Sequence, residues 1–192
     1  EPAGAQRPEQ SLVTRERQQV DVHGLHIDGH VTDGLGRVDE EGHATDLIAG
    51  EAEKFLRGGN QSPFFLWVAF SVPHHPLQEE PRWREMNSEI ADPSRRLFAA
   101  SVSHMDAAIG RLLSALDETR QRSKTIILFV SDNGGQKSYQ SRTEYEGRYG
   151  PNPVLGDNRP WRGWKGELHE EGIRVPAVIS WKGRLTPRSE LR

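Results

Sequence analysis

The chain has 192 residues, with 25 lysines and arginines against 28 aspartates and glutamates, a net charge of −3 and no cysteine. This balance gives no basic excess to attract nucleic acid or an anionic membrane, and the lack of cysteine excludes disulfides, a cysteine nucleophile and a thiolate metal site. No apolar run has the length that a bilayer requires, and no signal peptide opens the chain.

The first 44 residues are polar and carry little periodicity, so we predict loops and short irregular elements there. The chain starts at Glu1 rather than at a methionine, which indicates a processed or truncated polypeptide. His23, His26 and His30 have the close spacing of metal ligands. The glycines between them and the lack of a helical pattern favour three exposed loop histidines instead.

Residues 45–135 have the pattern of a βαβ core. Apolar residues at helical spacing predict an amphipathic helix over residues 45–57, and the continuous apolar run FFLWVAF at 64–70 predicts a strand covered on both faces. Asp92 and Pro93 are typical of a helix start, and an apolar stripe continues that helix to about Arg120. A second buried strand follows at 125–130. A right-handed crossover would make both strands parallel, so that their polar ends meet at one sheet edge.

Three groups with chemical potential follow these elements. Asp132 and Asn133 offer a carboxylate and an amide oxygen, which suit a hard cation such as Ca²⁺, although Asn-Gly is also a strong turn signal. His74 follows the first strand. Lys165 lies between two glycines and could reach the same crevice, or could simply be solvated.

The C-terminal third divides into a loop and a strand. Residues 136–160 carry no apolar period and are predicted to form a substrate-side loop. Its aromatic and basic residues could stack on a sugar or lie exposed to solvent: Tyr139, Tyr145, Arg148 and Tyr149. Residues 161–192 contain the Lys165 loop and a strand at 175–181.

Together these groups suit a tetrahedral oxyanion such as a sulfate or phosphate ester. A cation at Asp132 and Asn133 and the ammonium of Lys165 would neutralise its charge, and His74 can donate a proton to the leaving oxygen. The segments FFLWVAFSVPHHPLQ, TIILFVSDNGG and WRGWKGELHEEGIRVPAVISWKGRL also resemble consecutive blocks of the type I sulfatases, in the alkaline-phosphatase-like superfamily.

The resemblance implies an α/β sandwich with a mainly parallel central sheet flanked by helices, of which residues 1–192 would be one part. It also implies calcium-dependent hydrolysis of a sulfated small molecule or carbohydrate, in a secreted or periplasmic enzyme. By resemblance, Asp132 and Asn133 are calcium ligands. His74 contacts the sulfate near its leaving oxygen, and Lys165 binds a sulfate oxygen.

The chain departs from the family pattern in several places. The family nucleophile is a formylglycine made from a Cys/Ser-x-Pro-x-Arg motif. Residues 91–95 imitate that motif, but Ala91 has no nucleophilic atom and follows His74 instead of preceding it, so we interpret the segment as a helix N-cap. No Asp-Asp pair completes a calcium shell, and Trp164 and Glu171 replace usual glycines. We therefore expect the nucleophile outside this chain. Alone, the chain should be inactive and bind calcium poorly.

Three alternatives remain open. One is a phosphodiesterase or phosphonate hydrolase of the same superfamily. Another is a non-catalytic remnant that binds oxyanions or carbohydrates, and the third is a structural segment whose motifs are only turns.

Overall fold

The structure is a computed structural model that describes residues 19–26, 30–32, 37–39, 42–59, 62–74, 77–136 and 159–188. The chain divides into two compact units, Glu1–Ser71 and Val72–Arg192. Within the described ranges, no helix combines the length and the apolar character needed to cross a membrane.

The first unit is a four-stranded sheet with one helix. Its elements are β1 (Gln19–His26), β2 (His30–Thr32), β3 (Arg37–Asp39), α1 (Ala44–Arg57) and β4 (Phe65–Val68). The strand order is β3-β2-β1-β4, in which β1 and β4 are parallel and the other two ladders are antiparallel. The predicted helix begins one residue early because the His43 imidazole caps it, accepting from the Thr45 N–H at 3.2 Å. Its apolar face is buried and packs against β1 and β4.

Three strands lie in the segment that was expected to be irregular. The interpretation of residues 1–44 is therefore wrong over residues 19–26, 30–32 and 37–39, and His23, His26 and His30 lie on strands rather than in a loop. The reason is that short polar strands are defined by their backbone partners. Here β1 pairs in parallel with β4, from Gln19 opposite Phe65 onward. A partner so distant in sequence leaves only a weak signal in the strand itself.

The second unit is built on one long helix. Its elements are α2 (Pro81–Glu85), α3 (Pro93–Glu118), a 3₁₀ helix (Arg122–Lys124), β5 (Ile127–Val130), α4 (Glu170–Ile173) and β6 (Ala177–Ser180). β5 and β6 are antiparallel, with Leu128 opposite Ile179. After β6, the Trp181 indole N–H donates to the Ser123 carbonyl at 2.9 Å, which fastens the end of β6 to the segment that follows α3.

Residues 91–95 span the start of α3. The Asp92 carboxylate accepts from the Arg95 N–H at 2.7 Å, and Pro93 occupies the first turn. This is the predicted N-cap, and it is confirmed. The resemblance of this segment to a nucleophile motif therefore has a helix-capping explanation.

The strands are less covered than their apolar sequences predicted. Alternate side chains of β4 and β5 point to solvent, and Phe65 and Leu128 are 67% and 65% exposed. The expectation that both strands are covered on both faces is thus wrong for the described structure. An apolar run predicts a strand but does not specify which layers of its own chain cover it. β4 pairs with β1 and β5 with β6, so a parallel arrangement of β4 and β5 stays a prediction.

We expect Asp92→Ala to lower the free energy of unfolding by about 1 kcal/mol, because α3 loses the acceptor for one of its first-turn N–H groups. Urea unfolding monitored by circular dichroism would measure the change. Asp92→Asn retains an acceptor and should be nearly neutral. Equal losses in both variants would show that the cap is not what stabilises this end of the helix.

Candidate functional site

The polar loop after β5 is held by hydrogen bonds of its own backbone and side chains. The Ser131 hydroxyl donates to the Asn133 carbonyl at 3.1 Å, and the Asn133 N–H donates to the Asp132 carboxylate at 3.0 Å. The Asn133 side-chain N–H donates to the Gly134 carbonyl at 2.9 Å, which turns the amide oxygen away from that carbonyl. Asp132 is exposed and Asn133 is half-buried. These hydrogen bonds fix a loop that carries a carboxylate and an amide on consecutive residues.

Two backbone hydrogen bonds join this loop to the segment that carries Lys165. The Gly134 N–H donates to the Gly172 carbonyl at 3.1 Å, and the Lys165 N–H donates to the Gly135 carbonyl at 2.9 Å. We call this pair of bonds the glycine clasp. It requires glycine at 134, since a Cβ there would lie 1.6 Å from the Glu171 carbonyl oxygen. The clasp therefore fixes the backbone of Lys165 beside the Asp132–Asn133 loop.

The Lys165 segment is itself folded back by close backbone contacts. Gly163 and Gly166 have φ values of 109° and 87°, which favour glycine. A Cβ at Gly172 would lie 2.0 Å from the Glu167 carbonyl oxygen. Trp164 and Glu171, which replace glycines in the pattern that the sequence resembles, are not among the described residues with positive φ. Their backbones can therefore hold this geometry with a side chain present.

The four residues singled out in the sequence are not all joined by the glycine clasp. Asp132, Asn133 and Lys165 belong to the two loops that it connects. His74 lies in the same unit, exposed, in the turn at residues 72–74, and is no part of the clasp. The tyrosine-rich stretch 137–158, predicted to contact substrate, lies outside the described residues.

The sequence analysis did not predict a buried contact of Glu79, which lies five residues after His74. The His104 Nδ1 lies 2.8 Å from a carboxylate oxygen of Glu79, and both side chains are buried. A signal for it existed, because His104 lies on the buried stripe of α3 between Ser101 and Met105. Its partner could not be identified, since it is 25 residues away in sequence.

Comparison with known proteins shows that this chain is similar to sulfatases. The family model described as Sulfatase matches residues 6–191. The steryl-sulfatase of Mus musculus is 34% identical over 158 residues, which are 79% of this chain and 22% of that protein. The N-acetylgalactosamine-6-O-sulfatase of Bacteroides thetaiotaomicron is 25% identical over 171 residues, 88% of this chain and 31% of that protein.

Solved structures also match this chain. The crystal structure of Ps i-CgsB in complex with k-i-k-neocarrahexaose matches with a TM-score of 0.68 and 29% identity, over 80% of this chain and 31% of that chain. The predicted alkaline-phosphatase-like α/β class is thereby confirmed. This chain spans 22% to 31% of the length of these three relatives.

We expect Gly134→Ala to destabilise the second unit by about 1–3 kcal/mol, because the new methyl group meets a backbone carbonyl that cannot rotate away. Gly110→Ala is the matched control. A Cβ at Gly110 has no heavy atom within 4 Å, and alanine favours the helical conformation of α3.

Urea unfolding would measure both changes, and amide exchange at Lys165 should quicken only in Gly134→Ala. Equal stability and equal exchange in the two variants would contradict the clasp.

Proposed function

The chain belongs to the sulfatase family, as its motifs predicted, and we propose that the polypeptide containing it hydrolyses sulfate esters. The observation that carries the proposal is the glycine clasp. Through it, an acidic and amide oxygen pair and a lysine share one loop assembly. The relatives with which the chain aligns are themselves sulfatases, which supports the same reaction class.

Asp132 and Asn133 fit a calcium site in their chemistry. One oxygen of the Asp132 carboxylate accepts from the Asn133 N–H, which leaves the other oxygen of the carboxylate for a cation. The Asn133 amide uses its N–H group within the loop and directs its oxygen elsewhere. Calcium bound there would supply positive charge to a sulfate group. Because calcium prefers 6–8 oxygen ligands, these two residues would be part of a larger ligand set.

Lys165 would bind an oxygen of the sulfate group. Its ammonium is a compact charge on a flexible stem, and the glycine clasp fixes the backbone from which that stem extends. Charge stabilisation of this kind is effective when the donor is held in place before the reaction begins. Lys165 therefore contributes to transition-state binding rather than to proton transfer.

His74 would donate a proton to the leaving oxygen. Hydrolysis of a sulfate ester breaks the bond between sulfur and the ester oxygen, and the departing alkoxide needs a proton unless it is a weak base. An imidazole is suited to supply it near neutral pH. In the same proposal, a formylglycine outside the residues of this chain would provide the nucleophile.

The proposed substrate is a sulfated carbohydrate or a sulfated small molecule. One relative is named as an N-acetylgalactosamine-6-O-sulfatase, and the structure of Ps i-CgsB was solved with an oligosaccharide. A secreted or periplasmic location would suit a carbohydrate substrate and is part of the proposal.

In the complete polypeptide, we expect Lys165→Ala to lower kcat/KM for 4-nitrophenyl sulfate by about 10²- to 10³-fold, the usual cost of removing one preorganised group that stabilises transition-state charge. Lys182→Ala is the matched control. Lys182 lies after β6 and forms a surface ion pair with Asp117 at 2.6 Å. Such pairs are worth little, so activity should be retained.

The same assay distinguishes the alternatives. Hydrolysis of bis(4-nitrophenyl) phosphate in preference to the sulfate would favour the phosphodiesterase interpretation. Full sulfatase activity in Lys165→Ala would remove Lys165 from the site.

We expect residues 1–192 alone to show no sulfatase turnover and to bind calcium no more tightly than about 10⁻³ M, because two side-chain ligands fall short of a full shell. Isothermal titration calorimetry with Ca²⁺ would measure the affinity, with Asp132→Ala as the control. Measurable turnover by this polypeptide would contradict a nucleophile outside the chain. Micromolar calcium binding would contradict an incomplete ligand set.

A further inference from the structure

The chain segment that follows His74 is anchored to α3 by a buried contact between a glutamate and an imidazole. Glu79 lies five positions after His74. Its side chain is 0% exposed, and that of His104 on α3 is 1% exposed. The two groups are 2.8 Å apart. Since an ionised carboxylate only accepts hydrogen bonds, the His104 Nδ1–H donates to it.

Other contacts extend the anchor along the same helix. The Trp83 ring of α2 stacks on the His104 imidazole, with centroids 4.6 Å apart and planes inclined by 16°. The Asn87 side chain donates to the Ser103 hydroxyl at 3.1 Å. Leu77, between His74 and Glu79, is 2% exposed. Residues on both sides of Glu79 are thus packed, and Glu79 supplies the charged contact among them.

A buried hydrogen bond adds little net stability but resists displacement of its partners. Folding exchanges hydrogen bonds with water for this one, so the net gain is small, whereas displacing one partner leaves the other polar group buried without a hydrogen-bond partner at that atom. The segment cannot slide along α3 without that penalty. Packing between apolar groups alone would tolerate such a shift more readily.

We propose that Glu79 and His104 are positioning residues for His74. This inference rests on the proposed function, in which His74 protonates the leaving oxygen. α3 leads through the 3₁₀ helix into β5 and the Asp132–Asn133 loop. The contact between Glu79 and His104 therefore ties the His74 segment to the helix from which the other loop of the site continues. Neither Glu79 nor His104 contacts substrate in this proposal; they act through the backbone of the segment.

If Glu79 and His104 position His74, their loss should lower kcat more for substrates with poor leaving groups than for substrates with good ones. A displaced His74 impairs proton donation, and the loss is greatest when the leaving group is a poor one. In the complete polypeptide, Glu79→Leu should lower kcat for a sugar sulfate by about 10- to 100-fold, with little change in KM. It should affect 4-nitrophenyl sulfate much less, because nitrophenolate departs without a proton. His74→Ala should show the same selectivity and serves as the reference.

Two variants provide the controls. In Glu79→Gln the amide oxygen can accept the same hydrogen bond from His104, so it should restore kcat for the sugar sulfate. In Glu80→Leu the same change is made one position along, at a carboxylate that is exposed and paired with Arg82 at 2.7 Å. It should leave both substrates unaffected.

Hydrogen exchange provides a readout that needs no activity. Glu79→Leu should quicken exchange in a peptide covering residues 72–80 and leave that of residues 105–116 in α3 unchanged. Glu79→Gln and Glu80→Leu should resemble the unaltered protein.

Each contrary result has one meaning. If Glu79→Leu slows both substrates equally, or quickens exchange throughout α3, the pair is only structural and the inference is wrong. Unchanged exchange in residues 72–80 overturns it as well. If the unaltered polypeptide hydrolyses neither sulfate, the proposed function fails, and the catalytic role of the pair fails with it even where exchange responds.

Discussion

The arrangement of the site depends on two backbone segments that touch with no side chain between them. The carbonyl of Glu171 occupies the space that a side chain at Gly134 would fill, and the carbonyl of Glu167 does the same at Gly172. This contact allows the two hydrogen bonds of the glycine clasp to form. As a result, the backbones bearing Asp132 and Lys165 are fixed relative to each other without a bond between their side chains. The proposed roles of these residues, in which Asp132 binds a cation and Lys165 an anion, depend on that fixed placement of their backbones.

The second constraint is the length of α3. Its 26 residues, Pro93–Glu118, form a rod of about 40 Å at 1.5 Å per residue. In its first half, the His104 imidazole contacts the Glu79 carboxylate and stacks on the Trp83 ring. In its last turn Asp117 pairs with Lys182, and after its end the Trp181 indole donates to the Ser123 carbonyl. One rigid element therefore contacts both the segment after His74 and the end of β6.

Local features of the chain were predictable because local rules determine them. Apolar spacing identified α1 and α3 to within two residues, and the cap at Asp92 followed from its residue type and the proline after it. β1, β2 and β3 were missed because their partners define them. The contact between Glu79 and His104 was missed for the same reason, since neither residue indicates the other in the sequence. The candidate site shows the same difference between local and distant features. Strand ends and glycines indicated Asp132 and Lys165, but the hydrogen bonds of the glycine clasp could be identified only in the folded chain.

The glycine clasp and the contact between Glu79 and His104 differ in the substitutions that they tolerate. The glycine clasp excludes any side chain at Gly134, because the opposing atom belongs to the backbone and cannot move aside alone. The contact between Glu79 and His104 is made by side chains, so another residue pair of similar volume and polarity could replace it. The two loops that carry Asp132 and Lys165 are thus held by a feature that permits almost no variation. The segment that carries the proposed proton donor is held by a side-chain contact, which can vary without disturbing the glycine clasp.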